Sequence, residues 1–424
     1  MKTLIVLSSI SLCILGGKIH AQVGIGTTTP NAATMLHIDA GASQTKGILI
    51  TGTLNSSSGT IPSLGAGSRL MFCPGKAAFR AGYVNGTQWD ESNVGQYSSA
   101  LGLHTTSSGY ASFAMGWNSV ASDNASFAAG YNAIASGSYS TALGFSNTAS
   151  GSVSTVMGAN NTASGNYSNV MGINSVASSD YSMAMGYGAT ANAVRSIALG
   201  ADISTNGKIG SMILGDGGDG NGAHIFTSET DNQLFARFKG GYKFYTTGWG
   251  VVGGVTIVPG GNSWSSFSDE RMKENFETLN SEEILKKLSA VNYTSWNYKL
   301  QDPRIFRHYG IMAQDFYNAF GKDSFGVIGN DTMVNPIDMM GIAYSAIQAL
   351  EKRTDRLRIE NQQLKNEVST SKVHLSEIAD LKTEVMELKK QHKDLNQSIT
   401  QLLALVGKQQ KQMEMLTMKP TVNK

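Results

Sequence analysis

Charge is nearly missing from the middle of this sequence, where a long stretch from Gly95 to Gly215 is dominated by Gly, Ala, Ser and Asn. The formal net charge of the whole chain is +2, and no basic stripe is long enough to follow a phosphate backbone, which excludes a nucleic-acid partner. Cysteine is scarcer still, with two in 424 residues. One of them, Cys13, lies in an N-terminal apolar run. A disulfide framework within one chain is therefore excluded, and stability has to come from packing or assembly. The other, in Leu70-Met71-Phe72-Cys73, reads as a small buried hydrophobe. Long apolar runs are missing too, since the stretch from Leu4 to Leu15 is too short to span a bilayer and nothing later approaches that length. With Lys2 before it and Ile19-His20-Ala21 after it, this run reads as a secretory signal over residues 1–21, and the mature chain is expected to start near Gln22. Leu12 is too bulky for the residue before a lipidated cysteine, so no lipid anchor is expected there.

What is present is a repeat. Gly102, Gly116, Gly130, Gly144, Gly158, Gly172, Gly186 and Gly200 follow one another at fourteen-residue intervals, with Gly215 after fifteen. Each unit carries a pattern such as Ser140-Thr141-Ala142-Leu143-Gly144 and, half a unit later, a small pair such as Ala149-Ser150. Fourteen residues are too few for two helices and a turn. Two short strands per rung, with Ala, Leu, Met or Val inward, polar residues outward and a turn at Gly, make the economical solution. A single rung cannot bury its own apolar face, so stacking and association between chains have to complete the core. A disordered linker would not hold apolar residues in fixed phase.

Units such as Thr148-Ala149-Ser150-Gly151-Ser152-Val153-Ser154-Thr155-Val156-Met157-Gly158 resemble the head repeats of trimeric autotransporter adhesins over residues 96–215. The resemblance implies a left-handed β-roll with three chains side by side. Those adhesins end in membrane-spanning strands, whereas this chain ends in the polar Met418-Lys419-Pro420-Thr421-Val422-Asn423-Lys424.

Around the repeat, residues 22–95 read as a β-rich N-terminal region, with Val23-Gly24-Ile25-Gly26-Thr27 and Ile48-Leu49-Ile50 as strand candidates and Pro74-Gly75 and Asn85-Gly86 as turns. Gly24-Ile25-Gly26 lacks the third glycine and following helix of a phosphate loop. Asp216-Gly217-Gly218-Asp219-Gly220-Asn221-Gly222 reads as a polar turn, without the bidentate Glu or tandem copies of a calcium site. Neither a metal nor a cofactor is expected. Residues 216–267 read as a β-rich neck containing Leu234-Phe235-Ala236-Arg237-Phe238 and Tyr242-Lys243-Phe244-Tyr245.

A different material begins at Ser266-Phe267-Ser268-Asp269-Glu270-Arg271-Met272-Lys273, rich in charge. Taken by itself, Ser268 before two acids is a good helix N-cap. The segment also resembles the Ser-Asp-x-Arg-x-Lys start of the intramolecular chaperone domain of endosialidases and related phage tail proteins, the S74 peptidase family. Tyr309-Gly310-Ile311-Met312-Ala313-Gln314-Asp315 is similar to that family's second motif, with Asp where Glu is more usual, and Trp296 falls on its aromatic strand. The resemblance, over residues 268 to about 360, implies that the domain helps a trimeric fibre fold and then cuts the Phe267–Ser268 bond, with Ser268 as nucleophile and Lys273 as base. A neutral Lys amine, its pKa lowered by burial, can take the Ser proton. On one continuous helix the two side chains would point about 140° apart, so the stretch has to bend, begin its helix after Ser268, or pair between chains. Attack by Ser268 on its own preceding carbonyl gives an ester that water hydrolyses; direct attack by water is the alternative. His308, Arg271, Gln314 and Asp315 are supporting candidates: His308 to orient the pair or polarise the carbonyl, Arg271 to bind a carboxylate or support the fold, and Gln314 and Asp315 to hold the segment in place.

From Leu350 the pattern becomes heptad. Leu350, Leu357 and Leu364 share one core position and Thr354, Asn361 and Val368 the other; a second register carries Leu381, Val385, Leu388, His392, Leu395, Ile399, Leu402 and Val406. The phase slips by three near Ile378 to Leu381. Heptads alone do not separate two strands from three.

The expected architecture is thus a mainly β, elongated, trimeric N-terminal fibre of fourteen-residue β-roll repeats, then an α+β chaperone and autoprotease domain over 268–349 and a parallel coiled coil over 350–415. The expected function is a secreted, self-processing surface fibre whose partners are its own copies and a surface glycan or protein receptor. An uncleaved adhesin with a permanent stalk and a glycan-acting tail spike are the alternatives.

Overall fold

The computed structural model describes residues 23–42, 47–55, 61–217, 225–247 and 253–417. The signal stretch with Cys13, the expected start at Gln22 and most of the Asp216–Gly222 turn lie outside them. The chain divides into two compact units, Met1–Phe267 and Ser268–Lys424.

The first unit is a β-solenoid. Every rung contributes a five-residue strand, such as Thr141–Phe145, and a two-residue strand, such as Thr148–Ala149. Each pairs in parallel with its equivalent in the next rung, so that Thr141, Ala142, Leu143, Gly144 and Phe145 lie beside Thr155, Val156, Met157, Gly158 and Ala159. The two strand sets form a twelve-stranded and a nine-stranded sheet. The larger sheet runs past the stretch where the period is visible. Ala78–Val84 pairs in parallel with Ser99–Leu103 at one end, and Leu234–Arg237 pairs with Met212–Asp216 at the other.

The interior corrects one expectation. Ala142 and Val156 point inward and are fully buried, but Leu143 and Met157, expected inside with them, lie on the outer face and are only partly covered. The inner column is Ala100, Ala114, Ala128, Ala142, Val156, Val170, Ala184 and Ala198, with Ala121, Ala135, Ala149, Ala163, Ala177 and Ala191 facing them from the smaller sheet. Across most rungs the space between the two sheets, joined by such short turns, is filled by Ala and Val, with Ile only at Ile203 and Ile213 in the last rungs, and strand alternation sends the neighbours of each inward residue outward. The outer surface of the large sheet is consequently apolar as well as polar.

Glycine closes each rung where the strand backbones crowd. At Gly158 the backbone has φ +115°, and a Cβ would lie 2.0 Å from the Gly172 carbonyl oxygen. A buried polar column runs beside it. Asn161 Nδ2 donates to the carbonyls of Met157 (2.9 Å) and Gly172 (2.7 Å), while its Oδ1 accepts from the Ser175 amide (2.9 Å). Asn147 makes the equivalent bonds one rung earlier.

The first rung has a polar end. Arg80 takes the place of the inward Ala, is fully buried, and donates to the carbonyls of Phe79, Ser98 and Ser107 and to Ser98 Oγ. Burial pushes its guanidinium down to about 10. Trp89 fills the neighbouring space and donates to the Thr105 carbonyl. Cys73 is a half-buried free thiol whose pKa burial raises.

Before these strands, Val23–Ile25 pairs with Leu36–Ile38, and Pro74–Lys76 forms a short 3₁₀ turn. Ile48-Leu49-Ile50, a strand candidate by composition, is not a strand, and its residues are 71%, 85% and 58% exposed. β-branched residues favour a strand only where another edge is available to pair with. The unit ends in a three-stranded antiparallel sheet of Tyr242–Tyr245, Gly254–Ile257 and Ser265–Ser266.

The second unit has helices α1 (Ser281–Ala290), α2 (Ala313–Phe320) and α3 (Pro336–Thr417), with a hairpin of Tyr293–Trp296 and His308–Ile311. Asn280 caps α1 through its side chain, and the Asn335 side chain accepts from Ile337 at the start of α3, where Pro336 costs no helical hydrogen bond. Ile284, Ile311, Phe316, Phe320 and Ala346 form the core. Arg353 ties α3 to α1 through Glu282 at 2.6 Å, and that hydrogen bond holds the Glu282 carboxyl below its usual range. α3 is a single helix of 82 residues, about 120 Å long, so no break separates the domain from the heptads. Residues 350–406 are all exposed in the single chain.

Asn161→Ala tests the buried polar column. Ala already occupies the equivalent position at 133 and 189, so the fold should persist, with a loss of about 1–3 kcal/mol for the carbonyls left unpaired, read from thermal or denaturant unfolding.

Candidate active site

The second unit opens with one turn of 3₁₀ helix, Glu270–Met272, and this turn decides how the motif residues meet. Asp269, not Ser268, is its N-cap. The Asp269 carboxylate accepts from the Arg271 amide at 3.0 Å and grips the Arg271 guanidinium at 3.0 and 2.6 Å. The side-chain hydrogen bond from Arg271, with the backbone bond second, holds the Asp269 carboxyl below the ordinary aspartate range. The turn stops at once, because Lys273 returns to extended backbone at φ −125°, ψ 153° while its amide donates to the Glu270 carbonyl.

That single turn folds the stretch back on itself. Lys273 Nζ donates to Ser268 Oγ at 2.7 Å. Five residues of continuous helix would have kept the two apart, and the bend removes the obstacle within one chain. Both side chains are exposed. The burial invoked for a neutral Lys amine is therefore not supplied by the single chain.

The remaining candidates are placed elsewhere in the unit. Arg271 is occupied by Asp269. His308 stacks on Trp296 (4.7 Å, 30° between ring planes) and meets Tyr298 edge-on. The two stacked residues are cross-strand partners, and His308 Nε2 and Trp296 Nε1 are buried without a hydrogen bond. Gln314 and Asp315 lie in the first turn of α2, where the Asp315 charge favours the helix N-terminus. No hydrogen bond among the described residues joins His308, Arg271, Gln314 or Asp315 to Ser268 or Lys273. Asp269 takes the N-cap place that sequence reading gave to Ser268. Its signal was present, since Asp is as good an N-cap as Ser, but adjacent Ser and Asp leave the choice open.

Phe267 belongs to the first unit, where its ring lies against Tyr245 with centroids 5.8 Å apart. No group of three His, Cys, Asp or Glu residues able to hold a metal occurs among the described residues.

Comparison with known families falls on these two units separately. Residues 268–323 match the chaperone of endosialidase, peptidase S74. Segments between residues 94 and 202 match the YadA head domain repeat, among them 94–119, 121–147 and 177–202. The chain thus joins YadA-type head repeats to a peptidase S74 chaperone domain. No curated protein matches the chain.

Asp269→Ala should free the Arg271 amide and open the turn, whereas Asp269→Asn should retain the cap. Hydrogen exchange of the peptide around residues 266–275 reads this as faster exchange for the Ala variant alone. In the wild type, protection should persist as pH falls through the ordinary aspartate range and be lost only below it, because the depressed carboxyl remains charged until then.

Proposed function

We propose that this protein is a trimeric surface fibre of the adhesin or tail-fibre kind, exported to the cell surface, whose C-terminal unit guides assembly and then cuts the Phe267–Ser268 bond. The observation that carries the reading is the 2.7 Å contact between Lys273 Nζ and Ser268 Oγ at the first residues of the S74-type segment.

In the proposed step a neutral Lys273 amine takes the Ser268 hydroxyl proton as Oγ attacks the Phe267 carbonyl carbon. The C–N bond between the two residues breaks as the Lys273 ammonium returns that proton to the departing nitrogen, leaving an ester from Phe267 to Ser268 Oγ and a free amine on Ser268. Water hydrolyses the ester to the Phe267 carboxylate and restores the hydroxyl. Direct water attack reaches the same products. A protonated ammonium cannot act as a base, and burial between copies would favour the neutral form. The exposure of both residues in the single chain thus ties the chemistry to assembly.

Assembly has further support. The outer apolar column of the solenoid, including Met115, Leu143, Met157 and Met171, is only partly covered within the chain. The heptad Leu and Val residues of α3 are about half exposed. Met272, Phe276 and Tyr309 are exposed on the chaperone unit. A coil that brings three chains into register keeps the slow, non-local β contacts from forming out of phase, and removing it afterwards leaves the fibre kinetically locked.

The mature protein should sediment as a trimer, and a monomer retaining all its β structure would exclude this assembly. Expressed without residues 1–21, the chain should split unaided into fragments ending at Phe267 and beginning at Ser268, read by intact mass. Ser268→Ala should abolish the cut with folding nearly unchanged. Lys273→Arg should abolish it too, since a guanidinium keeps the charge but does not deprotonate; normal cleavage in that variant would remove Lys273 as the base.

A further inference from the structure

The strand that leads to the proposed cleavage point is held on both faces of its sheet by aromatic rings. In the three-stranded sheet, Tyr245 pairs with Gly254 on the middle strand, and Val255 pairs with Ser266 on the third. One step further along the same register, Phe267 falls opposite Gly254. Tyr245, Gly254 and Phe267 therefore form one row across the sheet. The middle member has no side chain, and the outer two close over it, with ring centroids 5.8 Å apart and planes at 17°. On the opposite face Phe244 meets Trp264 at 5.5 Å. Gly254 is constrained as well, because a Cβ there would lie 2.0 Å from the Phe244 carbonyl oxygen.

We propose that the Tyr245–Gly254–Phe267 row is a positioning element for the scissile bond, fixing the carbonyl of residue 267 so that cleavage proceeds only once the neck sheet has formed. This rests on the cleavage reading above. Intramolecular attack depends on the carbonyl being held in a near-attack geometry, and small displacements are costly in rate. Ser268 and Lys273 are fixed by the Asp269 turn, but the carbonyl they would act on belongs to Phe267, which follows a strand of only two residues. Two backbone pairings hold such a strand weakly, and the ring contacts add the missing restraint. The contacts these aromatic residues make are with one another, so their role is positional. The row also sets a preference at residue 267 for a flat ring over an aliphatic side chain of similar bulk.

The test follows self-cleavage of the full chain without residues 1–21 in a pulse-chase, with trimer formation monitored in the same samples. Tyr245→Ala and Phe267→Leu should trimerise but cleave about five- to tenfold more slowly, as expected for loss of one aromatic pair. Tyr245→Phe and Phe267→Tyr, which keep the rings, should cleave at the wild-type rate. Should Tyr245→Ala fail to trimerise, Phe267→Leu against Phe267→Tyr decides by the same comparison. Equal rates for the ring-keeping and ring-deleting variants, with a wild type that cleaves, would overturn this inference alone. A wild type that trimerises and stays whole would overturn the cleavage reading and this inference with it.

Discussion

Parallel pairing of each five-residue strand with its copy one rung later is the constraint on which the first unit depends. It stacks Gly144 on Gly158 and Gly158 on Gly172, so that a Cβ at either glycine would lie within about 2 Å of the next carbonyl. The turns that join the two sheets hold them so close that Ala and Ser, with an occasional Val, fill most of the space, and Ile enters only at the last rungs, at Ile203 and Ile213. From this narrowness the rest follows. Large apolar side chains are displaced outward, the solenoid has little core of its own, and its polar interior must be satisfied by side chains such as Asn147 and Asn161. The outer apolar column is then a surface that neighbouring copies can cover.

The same constraint bears on the assembly role proposed for the C-terminal unit. A solenoid of low charge and long-range pairing exposes its sheet edges until its neighbours are in register. The 82-residue helix α3 places its heptad positions along one element with no partner inside the chain. A helix of that length whose heptad Leu and Val residues are about half exposed has no tertiary packing of its own along residues 350–406 to stabilise it. Ser268 and Lys273 stand at the other end of this unit, already in contact, yet in surroundings that leave both open to water. In the proposed cleavage, this contact supplies the geometry and leaves burial between copies as the remaining requirement.

Arg80 and the neck mark the two ends of the solenoid in different ways. At the first rung a buried guanidinium and the Trp89 indole donate to the carbonyls of Ser98, Ser107 and Thr105, so the column of Ala ends on a polar plug. At the other end Arg237 lies 3.5 Å above the Phe226 ring and donates to the Gly217 carbonyl. Beyond it the chain passes to antiparallel pairing.

The repeat was legible from sequence because every rung poses the same steric problem and glycine solves it at the same place. The motif from Ser268 to Lys273 was legible as well, as was the heptad phase of α3. The inside of the solenoid was not, because Ala142 and Leu143 are both apolar and adjacent; only the distance between sheets tells which one fits. Leu234–Arg237 was legible as a strand, but not that it and Ala78–Val84 extend the solenoid sheet, since Gly82 pairs with Gly102 and Gly215 with Arg237 at separations that break the period. The run Ile48-Leu49-Ile50 has strand composition and no strand, because composition does not provide an edge. Sequence alone thus determined the period, the two materials and the residues available for chemistry. The tertiary structure decided which faces are buried and that Asp269, by capping a single turn, brings Lys273 to Ser268, because both depend on backbone directions that residue types leave open.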